Sequence, residues 1–202
     1  MNAYTTEKIV FSTYGQEFKK ALDGAKKATA KHREDLSKVE ITIDGRFMKI
    51  TSVDGYRASK YKLPIKQIEG DFPEEKKFLV SPFKLTGLLK DTDVKITVEN
   101  SSMMVTFYNK DEEPISQVFP VYETLSIFHS VSDMFETDEQ KLIAYFNVKY
   151  LKELIESAAL SGEDYVKLYQ TEERESEFCT LHVATENVYR GLVLPVRVTE
   201  KW

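Results

Sequence analysis

Six cationic side chains lie close together near the start of the chain and could contact an anionic partner. Only Glu17 and Asp23 oppose them within residues 16–33, so this stretch carries +4 and the rest of the chain −9 of the total formal charge of −5. Such an asymmetry indicates a surface suited to a negatively charged partner. A solvated helix face is the alternative. The six cations are Lys19, Lys20, Lys26, Lys27, Lys31 and Arg33.

Residues suited to catalysis or metal binding are scattered. The histidines His32, His129 and His182 lie far apart in the sequence, and Cys179 with His182 forms an isolated C-x-x-H pair. Strand residues three apart point to opposite faces, which argues against a shared metal ligand role. P-loop, G-x-G-x-x-G, H-E-x-x-H and G-x-S-x-G motifs are absent from the sequence. We therefore predict a binding protein without metal or cofactor; an enzyme with a dispersed site is a weaker alternative.

The bulk composition predicts a globular chain inside the cell. Its 202 residues are 42% hydrophobic and 30% charged, enough for one large domain or two small ones. No apolar run approaches the roughly 18 residues of a membrane span, and the start lacks a signal-peptide pattern. Cys179 is the single cysteine, so no intrachain disulfide forms. These features predict a cytoplasmic protein with no membrane partner.

The basic stretch must be positioned by a helix. Phe18, Leu22, Ala25 and Thr29 recur at the helical period, which predicts an amphipathic helix over residues 16–31 with the lysines opposite its apolar face. Alternating strands follow, including "VEITID" and "FMKITSVD", with a turn predicted at Asp44-Gly45 and a later one at Asn100 to Ser102. Ser81 before Pro82 predicts the start of a second helix.

The same order of elements recurs along the chain. Strand, short helix and three strands appear at "KFLV" onward and again at "LIAYF" onward, where Asn147 is the predicted N-cap. Each copy of about 70 residues ends in an apolar residue followed by proline. Residues 8–77 resemble a third copy. The pattern predicts an α+β fold assembled from stacked copies, with antiparallel sheets on the outside and three helices on one face.

Four short motifs, in order along the chain, are similar to those of one family. "SVDGYRASKYKLP" follows a strand, as a Thr-Asp-Gly-His-Arg-Leu stretch does in that family, and "FPVYETL" is similar to a closing Phe-Pro-x-Tyr segment. "FNVKYLKELIE" resembles the start of the family's last helix, and "LVLPVRV" its terminal strand. On these motifs the sequence resembles the bacterial DNA polymerase III beta subunit, the DNA sliding clamp.

The resemblance implies two surfaces. Clamps surround duplex DNA with lysine-bearing inner helices, so the six cations of residues 16–33 would contact DNA phosphates without reading sequence. A pocket in clamps also captures short linear peptides from polymerases, the clamp loader and repair proteins. The residues that match this pocket are Leu36, Val53, Gly55, Tyr56, Arg57, Ala58, Pro120, Leu125, Leu192, Leu194, Pro195, Val196 and Arg197.

The organisation departs from the family in its length. Residues 7–122 match a complete clamp-like domain, whereas residues 123–202 match a shortened one that lacks its first half. Residues 123–135 predict a short helix with apolar Leu125, Phe128, Val131, Met134 and Phe135. We expect a homo-oligomeric processivity factor of DNA replication, of the type encoded by a phage or a mobile element. A clamp-like peptide-binding or regulatory protein that does not encircle DNA is the alternative.

Overall fold

The computed structural model describes residues 8–70, 75–135, 146–160, 162, 165–170, 181–186 and 189–194. The chain divides into two compact units, residues 1–137 and 138–202, and each is described by itself. Among the described residues, no helix is both long and apolar enough to cross a membrane.

The described part of the first unit contains eight strands. Hairpin turns join several of them, as expected at Asp44-Gly45 and around Asn100, because Gly45 and Asn100 have positive φ angles of 83° and 53°. The strands are β1 (Ile9–Tyr14), β2 (Val39–Ile43), β3 (Phe47–Val53), β4 (Ala58–Glu69), β5 (Lys76–Val80), β6 (Asp93–Glu99), β7 (Ser102–Tyr108) and β8 (Pro114–Tyr122).

These strands close into an antiparallel barrel. Their order is β1-β4-β3-β2-β5-β8-β7-β6, and β1 closes the circle by pairing with both β4 and β6. Ile9 lies opposite Val98 in one ladder, and Val10 lies opposite Glu69 in the other. Closure leaves no free edge among these eight strands.

A single large apolar cluster, which we call the main core, is built on this barrel. Alternating residues of β6 and β7, such as Ile96, Val105 and Phe107, are fully buried in it. Alternation is the pattern that gives a strand one buried face. Strand β2 is buried along its whole length, so Glu40 and Thr42 are buried although alternation predicts an exposed face for them.

Helix α1 (Gly15–Ala25) packs its apolar face on the main core through Phe18, Ala21, Leu22 and Ala25. The amphipathic helix is therefore confirmed, but the prediction that it continues to Lys31 was wrong. A 3-10 turn, Lys26–Ala28, follows it, and Thr29 then adopts an extended conformation. The Thr29 hydroxyl donates to the Lys26 carbonyl at 2.9 Å, which ends the helical hydrogen bonding.

The helix predicted to begin at Ser81 and Pro82 does not form. Residues 81–92 are irregular, although Phe83, Leu85 and Leu88 contribute to the main core. The reason is backbone conformation, because Gly87 and Asp91 have positive φ angles of 80° and 61°, which a right-handed helix excludes.

Helix α2 (Ser126–Phe135) confirms the short helix predicted after the barrel. It contacts β3, and Phe128 is its fully buried residue. The compact first unit extends to residue 137, and the division into clamp-like domains at residues 7–122 and 123–202 stays a prediction.

Among its described residues, the second unit contains one helix and three strands. Helix α3 (Val148–Ala159) begins as predicted at Asn147, whose side chain accepts a hydrogen bond from the Lys149 backbone N–H at 2.9 Å. Strands β9 (Lys167–Gln170), β10 (Leu181–Ala184) and β11 (Arg190–Val193) form an antiparallel sheet in the order β11-β10-β9. The α+β class is confirmed by both units.

Candidate DNA and peptide interface

The basic stretch is divided between three local structures. Lys19 and Lys20 lie on α1, and Lys26 and Lys27 lie on the 3-10 turn. Beyond the turn, the Ala30 backbone N–H donates to the Leu36 carbonyl at 2.9 Å, which closes a loop that contains the remaining two cations. All six side chains are exposed except that of Lys19, which is half-buried.

A basic concavity of about 740 Å³ lies beside this loop. It combines cations of the basic stretch, which were predicted to contact DNA, with the turn between β3 and β4, which was predicted to belong to the peptide pocket. The residues lining the basic concavity are Lys26, Lys27, Thr29, Ala30, Lys31, His32, Arg33, Asp54, Tyr56 and Arg57.

The arginines of the basic concavity are paired with carboxylates. Arg33 Nη2 lies 2.6 Å from Asp35 Oδ2, and this hydrogen bond raises the pKa of Arg33 and lowers that of Asp35. Arg57 Nε donates to Asp54 Oδ2 at 2.8 Å. Across the part of the chain that the structure describes, Lys26, Lys27 and Lys31 have no such carboxylate partner. The uncompensated charge of the concavity is therefore lysine charge.

The turn between β3 and β4 is organised by Asp54. Its Oδ1 accepts the backbone N–H groups of Tyr56 at 2.9 Å and Arg57 at 3.0 Å, while Gly55 has a φ of 96°. The Tyr56 N–H and then the Arg57 side chain lower the pKa of the Asp54 carboxyl. The turn leaves the Tyr56 side chain fully exposed at the rim of the concavity.

A second apolar cluster, which we call the α2 cluster, lies outside the main core. Leu36, Val53, Leu79 and Phe128 are buried in it. Ala58 and Leu125 are partly buried against it, so four residues predicted for the peptide pocket come together here. Sequence reasoning missed Leu79 and the place of Phe128, although it named Phe128 among the apolar residues of the short helix predicted over residues 123–135.

Pro120 and Gly55, two predicted pocket residues of the first unit, lie outside the α2 cluster. Pro120 is exposed on β8, and Gly55 is exposed in the Asp54 turn. Leu192 and Leu194 belong to the second unit, where both side chains are more than half exposed. Pro195, Val196 and Arg197 lie outside the described residues, as does Cys179.

A smaller cavity of about 490 Å³ is lined in part by residues just before and just after Leu36 in the sequence, and it has an acidic rim. Lys38 partly offsets this charge and stands 4.8 Å from the centre of the Tyr122 ring, a cation–π contact. The lining residues are Glu34, Asp35, Lys38, Leu79, Tyr122, Glu123 and Leu125. Within the described ranges, no group of three His, Cys, Asp or Glu side chains could hold a metal ion.

Known proteins resemble this chain in structure. No family model and no curated protein matches the sequence. The DNA polymerase sliding clamp of Bacillus subtilis aligns with a TM-score of 0.65 and 13% identity, over 97% of this chain and 50% of the clamp. The clamp of Pseudomonas aeruginosa bound to griselimycin aligns with a TM-score of 0.55 and 15% identity, over 94% and 54%.

The Helicobacter pylori beta clamp bound to a DNA ligase peptide aligns with a TM-score of 0.53 and 11% identity, over 92% of this chain and 56% of that one. The chain thus spans about half the length of each of these solved clamps. At such identities the likeness concerns the fold. The chain has the sliding-clamp fold of bacterial DNA polymerase III beta subunits.

Proposed function

We propose that this protein is a clamp-like factor of DNA replication that binds duplex DNA without sequence specificity. The supporting observation is the run of exposed lysines from α1 to the basic concavity, of which Lys26, Lys27 and Lys31 have no carboxylate partner among the described residues. Lysine is a flexible point charge that contacts phosphates without fixed geometry. Binding driven by such contacts weakens steeply with salt.

The DNA proposal is tested by charge reversal. We expect Lys20→Glu, Lys26→Glu and Lys27→Glu together to abolish binding to a fluorescent 30-base-pair duplex at about 50 mM salt, since reversal replaces phosphate attraction by repulsion. Fluorescence anisotropy measures the affinity. Parent binding should be lost between roughly 50 and 200 mM salt.

A matched control reverses three exposed lysines of the first unit outside the basic stretch, Lys84, Lys90 and Lys110. It changes the net charge by the same amount and should retain most of the binding. Equal losses in both triple variants would mean that net charge, rather than the basic stretch, determines DNA affinity.

The proposal includes a peptide site at the α2 cluster. The cluster unites Leu36, Val53, Ala58 and Leu125, which the resemblance assigns to the peptide pocket, and it is apolar, as sites for peptide anchors are. The Helicobacter pylori clamp carries a DNA ligase peptide. Polymerase, clamp-loader or repair proteins are the expected partners.

Calorimetry with a Gln-x-x-Leu-Phe peptide should give a Kd in the micromolar range, about −8 kcal/mol. The resemblance to sliding clamps also implies that Leu194 takes part in peptide binding. Leu194→Asp should remove the heat of binding without unfolding the chain, because this side chain is 61% exposed and an aspartate there offers no apolar contact to a peptide. Unchanged binding in this variant would limit the site to the first unit.

A non-encircling, peptide-binding protein is the second candidate, since the α2 cluster is formed within one chain and does not depend on a closed ring. Ring formation would require a homo-oligomer. Light scattering after size exclusion separates the two, since a closed oligomer supports DNA encirclement and a monomer supports the second candidate.

A further inference from the structure

Residues 124–135, which we call the α2 segment, are attached to the rest of the first unit by three contacts. Before the helix, the Thr124 hydroxyl donates to the carboxylate of Glu40, which is 1% exposed. In its first turn, Phe128 is fully buried between Leu36, Val53 and Leu79. Near its end, Lys60 Nζ donates to Ser132 Oγ at 3.3 Å.

We infer that α2 is a built-in ligand of the peptide site, so that a partner peptide binds by displacing it. The part of this inference that concerns partner peptides rests on the proposed function. Its basis is the position of Phe128, because a large aromatic anchor from residues 124–135 fills the cluster formed by Leu36 and Val53. An incoming peptide and α2 cannot occupy this cluster together.

The attachments of α2 are suited to release. Phe128 is its one fully buried residue, whereas Met134 and Phe135 are 70% and 41% exposed. The Lys60 ammonium stands 5.8 Å from the Phe135 ring centre, at the outer limit of a cation–π contact. A ten-residue helix is not stable by itself, so α2 persists through its docking.

Glu40 indicates what a displacing peptide must supply. When Thr124 leaves, the buried Glu40 side chain loses its hydroxyl donor, and a buried polar group without a hydrogen-bond partner is unfavourable. A competing peptide therefore needs a hydrogen-bond donor four residues before a large apolar anchor, as Thr124 precedes Phe128. A Gln-x-x-Leu-Phe peptide meets both requirements, and an acidic residue at the donor position would be rejected.

The test supplies the chain's own segment in trans. The probe is a fluorescent 14-residue peptide with the sequence of residues 122–135, and the receptor is the full chain carrying Phe128→Ala. We expect at least tenfold tighter binding to this variant than to the parent, because the variant leaves the aromatic position empty. A probe peptide with Phe128→Ala should bind neither. Equal binding of the intact probe to parent and variant would overturn the inference.

Two further variants control for general unfolding. Phe107→Ala empties an aromatic position in the main core and should not improve probe binding. Lys60→Ala removes the contacts to Ser132 and Phe135 without creating a cavity, so it should also strengthen probe binding. If Phe128→Ala does not fold by circular dichroism, the Lys60→Ala result decides, and no gain over the parent contradicts the inference.

The Gln-x-x-Leu-Phe peptide separates this inference from the proposed function. Binding to the Phe128→Ala variant at least tenfold tighter than to the parent supports both. Equal binding to both proteins supports the function and contradicts displacement. Binding of the chain's own probe without any binding of the Gln-x-x-Leu-Phe peptide leaves α2 as an internal ligand and contradicts the peptide-binding function.

Discussion

The main core and the α2 cluster are both apolar and buried, but they are built differently. The main core is enclosed by a barrel whose strands pair on both sides, together with α1. The α2 cluster has four buried residues from separate segments, and one of them, Phe128, belongs to a short helix outside the barrel. Because its strands are paired on both sides, the main core is a structural unit. The α2 cluster, in contrast, depends on the α2 segment, which is able to detach.

This contrast indicates that the main core serves stability and the α2 cluster serves binding. Opening the main core requires breaking barrel ladders, so its opening free energy should approach that of global unfolding. Release of α2 breaks no strand pairing. The following predictions test the difference, beginning with the largest effect.

Phe107→Ala should lower the free energy of unfolding by about 3–5 kcal/mol, because a rigid barrel cannot collapse around the cavity. Urea unfolding followed by far-UV circular dichroism measures this change. The neighbouring Tyr108→Ala, at a position 49% exposed, should cost much less. Similar losses in the two variants would mean that the main core tolerates cavities.

Phe128→Ala should lower the free energy of unfolding by less, about 1–3 kcal/mol, because α2 can move when its anchor is lost. Hydrogen exchange should accelerate in residues 126–135 while the amides of β6 and β7 remain protected. A loss as large as that of Phe107→Ala, spread over the whole barrel, would contradict the distinction between the clusters.

Acid should have the smallest effect, at the Asp54 turn beside the α2 cluster. Its hydrogen bonds hold the pKa of Asp54 below the unfolded value of about 3.9, so their stabilisation is complete above that pH and lost as pH falls through the folded pKa. Amide exchange of Tyr56 and Arg57 should therefore accelerate relative to other amides in strong acid. Asp54→Asn should flatten this pH dependence, and an unchanged profile would assign the effect to another carboxyl.

Local patterns made helix α1 and two hairpin turns predictable, although the closed barrel was not predicted. The apolar period of α1 and the turns at Gly45 and Asn100 follow from neighbouring residues, and the structure confirms them. Residues 81–92 were wrongly predicted to form a helix because Ser81 and Pro82 fit the pattern of a helix start. The left-handed backbone at Gly87 and Asp91, which excludes the helix, cannot be derived from that pattern.

The candidate site was less predictable because its contacts are distant in the sequence. Alternation assigned Glu40 to an exposed face, but Thr124, 84 positions away, donates to it and covers it. Likewise, nothing local indicates that Phe128 packs against Leu36. The DNA contacts of the lysines, and the place of residues 192–197 in the peptide site, stay predictions.

Because β1 pairs with both β4 and β6, the nascent chain cannot close the barrel until these strands have been synthesised. Strand β1 is synthesised first, yet its partners β4 and β6 emerge later, and the barrel is incomplete until Tyr122 of β8 is added. At roughly 5–20 residues per second, that delay is about 5–20 seconds. During it the apolar strand Ile9–Tyr14 lacks its barrel partners, and such an unpaired apolar strand is prone to aggregation.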